Sequence, residues 1–147
     1  MNNFSELQAT DISLALSITL TPHYKTHAPE VTVCVGSVTY YTGILNQQIQ
    51  LTHWFPLQSV FDIKIHLQNK NDIDDCTTGV IISDLTVDGN NLVPNWTHLA
   101  HYINDRDFHG PAAHLGFNGV WKLCIDRPFY QWWHVNTGQG WLLEPKI

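Results

Sequence analysis

Apolar and polar residues alternate at a period of two along much of the chain. The alternation is clearest between Asp11 and Thr21, where isoleucine or leucine occupies nearly every second position. This pattern predicts a long strand with one buried face, and Pro22 ends it. Segments of similar character predict further strands at residues 31–35, 38–41, 49–53, 60–67, 80–87, 120–125, 129–135 and 141–143.

Turn-forming residues separate these segments, and only one segment has helical character. The sequence DGNN at residues 88–91 predicts a tight hairpin turn. Residues 95–104 predict a short helix capped by Thr97, with Leu99, Tyr102 and Ile103 facing inward. The whole pattern predicts an all-β protein: an antiparallel, jelly-roll-like β-sandwich with at most one short helix, in a single domain spanning residues 1–147.

Charged residues are scarce, and this excludes several classes of partner. They make up 14% of the chain, aromatic residues make up 12%, and the formal net charge is −6. Because the Lys and Arg residues are scattered, electrostatic binding to nucleic acid is excluded. The chain has no apolar run of transmembrane length, and its N-terminus lacks the regions of a signal peptide. We therefore expect no membrane partner, and reduced thiols at Cys34, Cys76 and Cys124 from synthesis in a reducing cytoplasm.

Two stretches resemble known proteins. FDIKIHLQNKNDIDDCTTGVIISDLTVDG at residues 61–89, with VTVCVGS at residues 31–37, resembles calcium-dependent, xylan-binding-type carbohydrate-binding modules. That resemblance implies a small β-sandwich that binds calcium and polysaccharide. Thr77, Thr78 and Gly79 stand where the family usually has an Asp-Arg pair, and residues 95–147 have no counterpart. Residues 116–145 resemble segments of tailed-phage structural proteins, which reuse such sandwiches.

An acidic loop and a group of histidines are the candidate metal sites. Calcium prefers clustered oxygen ligands, and the loop at residues 68–79 offers Asn69, Asn71, Asp72, Asp74 and Asp75. The spacing is not that of an EF-hand, and the alternative is a solvated loop held by Asx turns. For zinc or iron, His98 and His101 stand one helical turn apart, and the further candidates are His109, His114, Asp105 and Asp107.

Aromatic side chains are the candidate contact residues, because exposed rings can stack on sugars or anchor protein interfaces. If residues 129–135 form a strand, consecutive tryptophans point to opposite faces, so that one is exposed. The candidates for an interface or for glycan stacking are Trp54, Trp96, Tyr130, Trp132, Trp133 and Trp141.

The chain lacks a nucleophile elbow, a P-loop and a dinucleotide-binding motif, so we predict no catalytic residue and no enzymatic activity. The first hypothesis is a structural component of a tailed-phage virion, in the tail, fibre or capsid decoration. It would form homo-oligomers or bind neighbouring virion proteins through its aromatic surfaces. The alternative is a glycan-binding module in which calcium assists, although no cofactor is required. A third hypothesis is a histidine-based metalloenzyme.

Overall fold

A computed structural model describes residues 13–71, 73–93, 97–104 and 113–138. Their elements in chain order are β1 (Ser13–His23), β2 (Glu30–Val35), β3 (Val38–Ile44), β4 (Ile49–Pro56), β5 (Phe61–Leu67), β6 (Gly79–Val87), β7 (Asn90–Asn91), a 3₁₀ turn (Thr97–Leu99), β8 (His101–Asn104), β9 (His114–Leu115), β10 (Gly119–Ile125) and α1 (Phe129–Thr137). No helix among these residues is long and apolar enough to cross a membrane.

The strands form two antiparallel sheets, so the predicted β-sandwich is confirmed. Sheet A has the order β4-β1-β6, and the short strands β7 and β9 pair with β6 as well. Sheet B has the order β3-β2-β5-β10-β8. The inward-facing side chains of both sheets form one continuous apolar core. Its driving force is the removal of these apolar faces from water.

The alternation in the sequence identifies the buried face of each long strand. Along β1, Leu14, Leu16, Ile18 and Leu20 are buried, and the residues between them are more exposed. The β6 strand buries Val80 and Ile82, then Leu85 and Val87, which breaks the period of two. A register shift in the pairing with β1 falls between these two pairs. The extra residue of this bulge lets both halves of β6 face the core.

The predicted hairpin turn at residues 88–91 is confirmed. Val87 pairs with Asn90, so Asp88 and Gly89 form a two-residue connection. Both have positive φ, at 51° and 82°. Positive φ at both central positions is the geometry of a type I′ turn, which suits the twist of the strands that it joins.

The prediction of a strand at residues 129–135 is wrong, because this segment is the helix α1. Its buried residues Phe129, Trp132 and Trp133 are spaced at i, i+3 and i+4, which is the period of a helix face. Gly138, with φ of 75°, ends the helix, and its N–H donates to the carbonyl of His134 at 2.8 Å. The aromatic side chains favoured a strand by propensity, but tertiary packing of the helical face prevails.

The prediction of a helix at residues 95–104 is also wrong where the structure describes it. The 3₁₀ turn covers only Thr97–Leu99, and β8 follows at His101–Asn104. Pairing with β10 gives these residues backbone partners that a short isolated helix would lack. In the strand Ile103 is 69% exposed, so it does not face inward as the helix prediction required. The strand predicted at residues 141–143 lies outside the described residues.

Gly119 permits the close approach of β8 to β10. A Cβ at this position would lie 2.2 Å from the carbonyl oxygen of Ile103 and 2.6 Å from the Cα of Asn104. Both are backbone atoms, so the strand must move to admit a methyl group. We expect Gly119→Ala to destabilise the fold by about 1–3 kcal/mol. Hydrogen exchange should show lost protection in β8, with β2 and β5 unaffected.

The matched control for this prediction is Gly116→Ala. A Cβ at Gly116 would meet only a ring carbon of His114, at 3.9 Å. This variant should therefore keep the protection of β8 and the stability of the parent protein. Unchanged exchange in β8 of Gly119→Ala would contradict the role assigned to this glycine.

Candidate functional site

The outward-facing surface of sheet A is rich in hydroxyl and amide groups. Rows of these side chains cross β1 and β4, which pair without a register shift. Ser17 therefore lies opposite Thr52, and Thr19 lies opposite Gln50. The Gln50 Nε2 donates to Ser17 Oγ at 3.0 Å. At the end of the same rows, the Gln48 Nε2 donates to Thr21 Oγ1 at 2.9 Å. These bonds tie neighbouring strands together and leave a surface of neutral donors and acceptors.

Trp54 stands on this surface as its single large aromatic group among the described residues of β1, β4 and β6. Its side chain is 65% exposed, which is unusual for an indole because burying it is strongly favourable. The residue opposite on β1 is Ala15, whose methyl group is too small to cover the ring. Trp54 therefore offers a ring face to solvent beside a neutral, hydroxyl-rich sheet. The prediction that Trp54 is a contact residue is compatible with this exposure.

A cluster on the other side of β4 holds the Trp54 segment in place. The ring of Phe55 is buried and meets Phe61 of β5 edge-on, with centroids 4.6 Å apart. His53 meets Tyr40 of β3 at 4.8 Å, and the Tyr40 hydroxyl is hydrogen-bonded to its Nδ1 atom. Burial lowers the pKa of His53 below its ordinary value. These contacts of His53 and Phe55 anchor the strand that presents Trp54.

Beside the start of β4 lies an open cleft of about 360 Å³. Its lining residues are Tyr41, Ile44, Leu45, Asn46, Gln47 and Ile49. The Tyr41 hydroxyl donates to the carbonyl of Ile44 at 2.7 Å, which fixes the ring at the wall of the cleft. A volume near 300 Å³ is at the lower end for small-ligand sites. All six lining residues lie between positions 41 and 49, at the end of β3, in the connection and at the start of β4. The sequence pattern predicts the strands but not the open space beside their connection.

The acidic loop is held by Asp75, whose carboxylate is enclosed by N–H and O–H donors. Its Oδ2 atom accepts hydrogen bonds from three consecutive backbone N–H groups, those of residues 25, 26 and 27, at 2.7, 2.8 and 3.0 Å. Its Oδ1 atom accepts from the backbone N–H and the hydroxyl of Thr77, at 2.9 and 2.5 Å. These five donors use the lone pairs of both carboxylate oxygens, which a calcium ion would need as ligands.

These bonds hold the pKa of the Asp75 carboxyl far below its ordinary value of 3.8. The hydrogen bond from the Thr77 side chain is the largest cause, and the backbone N–H groups of residues 26, 27 and 77 add to it. Burial acts in the opposite direction and is outweighed. Asp75 is therefore an ionised structural anchor between its own loop and the β1–β2 connection.

Two other predicted calcium ligands also use their side-chain oxygens within the protein. The Asn69 Oδ1 accepts from the backbone N–H of Glu30 at 2.7 Å. The Asn71 Oδ1 accepts from the backbone N–H of Ile73 at 2.9 Å, which is an Asx turn. Asp74 is exposed, and Asp72 lies outside the described residues. The loop thus uses its polar side chains to order its own backbone and that of its neighbours.

A side-chain cation, the Lys70 ammonium, lies within this loop. The Lys70 ammonium donates to the carbonyl oxygens of Cys76 and Thr78, at 2.7 and 2.9 Å. Asn118 clamps the backbone of Lys70, accepting from its N–H at 2.7 Å and donating to its carbonyl at 3.0 Å. Across the described residues no three His, Cys, Asp or Glu side chains are grouped as metal ligands. Calcium binding stays a prediction, and Asp75 is not a free ligand for it.

The histidine site is not assembled by the residues that the structure describes. His101 lies in β8, so the helical spacing assumed for His98 and His101 is wrong. His114 lies in β9, where burial is the largest cause of its lowered pKa, and His23 and Lys70 lower it further. His109, Asp105 and Asp107 lie outside the described residues, as does the side chain of His98.

The other aromatic candidates that the structure describes are less accessible than Trp54. Trp132 and Trp133 are 3% and 4% exposed, so the prediction that one of them is exposed is wrong, since both lie on the buried side of α1. Tyr130 is partly buried and its hydroxyl donates to the Asp88 carboxylate. Burial, with this hydrogen bond, raises its pKa to about 12. Trp96 and Trp141 lie outside the described residues.

No family model and no curated protein match the chain. Among solved structures, the chain is similar to vCBM60 in complex with galactobiose. The two are 13% identical, the match covers 76% of this chain and 97% of that chain, and the TM-score is 0.48. At this identity and TM-score the likeness does not indicate a ligand for this chain.

Proposed function

We propose that the protein is a non-catalytic glycan-binding module whose contact surface is the outward face of sheet A around Trp54. The observation that carries this proposal is the 65% exposure of an indole beside rows of Ser, Thr and Gln side chains. Asp84 of β6, opposite Thr19, adds one carboxylate acceptor to the same face. Sugars present an apolar C–H face and a rim of hydroxyl groups, and this surface offers a matching partner for each.

The physical basis of binding is a stacked ring with hydrogen bonds around it. An aromatic ring that is already exposed can stack on a sugar without rearrangement of the protein, so little conformational free energy is lost on binding. Neutral hydroxyl and amide groups exchange hydrogen bonds with water for hydrogen bonds with sugar hydroxyls, so the net gain of each is small. Most of the affinity should therefore depend on Trp54.

Replacing Trp54 by alanine tests this dependence. We expect Trp54→Ala to weaken glycan binding about 30-fold or more, equal to roughly 2 kcal/mol for a central aromatic contact. Trp54→Phe should retain part of the affinity because it keeps a ring. The measurement is a glycan array followed by calorimetry on the best ligand, each with and without a chelator. The chelator arm also tests the calcium prediction.

Ile103→Ala is the matched control for this test. Ile103 is also a large exposed apolar residue, at 69%, but it lies on β8 of the other sheet. Its replacement should leave glycan binding unchanged. If Trp54→Ala binds every array ligand as the parent protein does, the outward face of sheet A is not the glycan surface.

A role in a tailed-phage virion remains a second proposal, based on the resemblance of residues 116–145. The buried positions of Trp132 and Trp133 remove these two tryptophans as its contact surface. Assembly with further copies or neighbouring virion proteins would need another surface, and the free edge of sheet A is the one that the strand geometry favours.

A further inference from the structure

In the part of the chain that the structure describes, β4 forms a free edge of sheet A that is long, regular and uncharged. Among the described residues β4 pairs with β1 alone, over eight residues and without a register shift. Its sequence, IQLTHWFP, contains no Lys, Arg, Asp or Glu, and its one proline is the last residue. Natural sheets usually block such an edge with charges, bulges, central prolines or a short strand. β4 lacks these devices, so its edge is suited to accept another strand.

The other edges of the sandwich are protected in these ways. The pairing of β3 with β2 has a register shift between Val33 and Cys34 of β2. β3 also contains Gly43, whose φ is 144°. β8 has only four residues, and β7 and β9 have two each. β4 is therefore the described strand best able to form a ladder with a second chain.

Pro56 shows which backbone groups of β4 point away from β1. Proline has no N–H, so its pairing with Ser13 is of the non-hydrogen-bonded kind. Hydrogen-bonded and non-hydrogen-bonded pairs alternate along an antiparallel ladder. The N–H and C=O groups of Gln50, Thr52 and Trp54 thus point to the free edge. Their side chains lie on the outward face of the sheet.

We propose that β4 pairs antiparallel with β4 of a second copy, about a two-fold axis at Thr52. To keep inward and outward faces continuous, outward residues must lie opposite outward residues. An axis at Thr52 pairs residues 49–55 of the two strands, which is the longest pairing that meets this condition and leaves Pro56 unpaired. Thr52 then lies opposite its own copy, and Gln50 lies opposite the partner's Trp54. No like charges meet, and threonine pairs are favourable cross-strand neighbours.

The pairing is isologous, so it closes at two copies and makes one continuous sheet. Its two Trp54 rings would be roughly 14 Å apart on one face, from four residues of strand rise and one strand spacing. If the proposed glycan surface is correct, the dimer would engage one extended chain at two points. The pairing itself does not depend on glycan binding.

The test exploits the position of Thr52 on the axis. Light scattering and native mass spectrometry of the full chain should show a dimer. Thr52→Lys and Thr52→Glu should each be monomeric, because the axis brings two like charges together, and an equimolar mixture should recover the dimer. Thr52→Val keeps the backbone edge and should remain dimeric. Circular dichroism and melting curves verify that each variant is folded.

Three results would overturn the pairing: a monomeric parent protein at all concentrations, a dimer that survives Thr52→Lys, or no recovery in the mixture. A parent monomer that binds extended peptides along β4 would show that the edge accepts other chains, and it would also refute self-pairing. Because Trp54→Ala measures glycan binding and the Thr52 variants measure mass, failure of either proposal can be recognised separately.

Discussion

Trp132→Ala and Trp133→Ala are each expected to lower the free energy of unfolding by about 3–5 kcal/mol. Both side chains are almost fully buried, on the side of α1 that faces the core beside Phe129. Each truncation leaves a cavity that the surrounding rings cannot fill by small movements. Since a domain of this size is stable by only about 5–15 kcal/mol, either change would consume much of its stability. Urea unfolding followed by circular dichroism measures the loss.

Val135→Ala is the control on the same helix. Its side chain is 58% exposed, so its removal should change stability by about 0.5 kcal/mol or less. The pair of tryptophans also distinguishes a helix from a strand in this segment. In a strand the two would face opposite sides, and one substitution would cost little. A small effect for either tryptophan would contradict the helical packing.

Asp75→Asn should lower stability at neutral pH and remove much of the acid sensitivity of the fold. The pKa of the carboxyl lies far below 3.8 in the folded state because the Thr77 hydroxyl and the backbone N–H groups stabilise its charge. As the pH falls below about 4, the unfolded chain binds a proton that the folded one does not, so the free energy of unfolding falls. The stabilisation is therefore fully present above this range.

Asp74→Asn is the matched control, since it removes the same charge from the exposed neighbouring residue. Urea unfolding of the two variants and the parent, between about pH 7 and pH 3, measures the difference. Asp75→Asn should give the flatter curve, because an amide does not titrate in this range. It should also be less stable at neutral pH, because its NH₂ group faces the converging donors. Parallel curves for the parent and Asp75→Asn would show that the carboxylate does not anchor the two loops.

Local sequence determined most of the strands and their buried faces. The period of two along β1, β2 and β5 identifies the residues that enter the core, because side chains alternate between faces whatever the partner strand is. Asp88 and Gly89 likewise determine their hairpin turn by their tolerance of positive φ. The outward orientation of Trp54 could also be inferred by extending the alternation of Ile49 and Leu51 along the same strand.

Only the tertiary structure decided the fate of the aromatic segment, the acidic loop and the sheet edges. The residues of α1 fit both a strand by composition and a helix by spacing, and packing against the core selected the helix. Three of the five donors to Asp75 lie 48 to 50 residues away in sequence, so no local pattern could show that both carboxylate oxygens are enclosed. Whether a strand lies at an edge depends on which strands pair, and only the assembly of the described strands leaves β4, with Trp54, at an edge of sheet A.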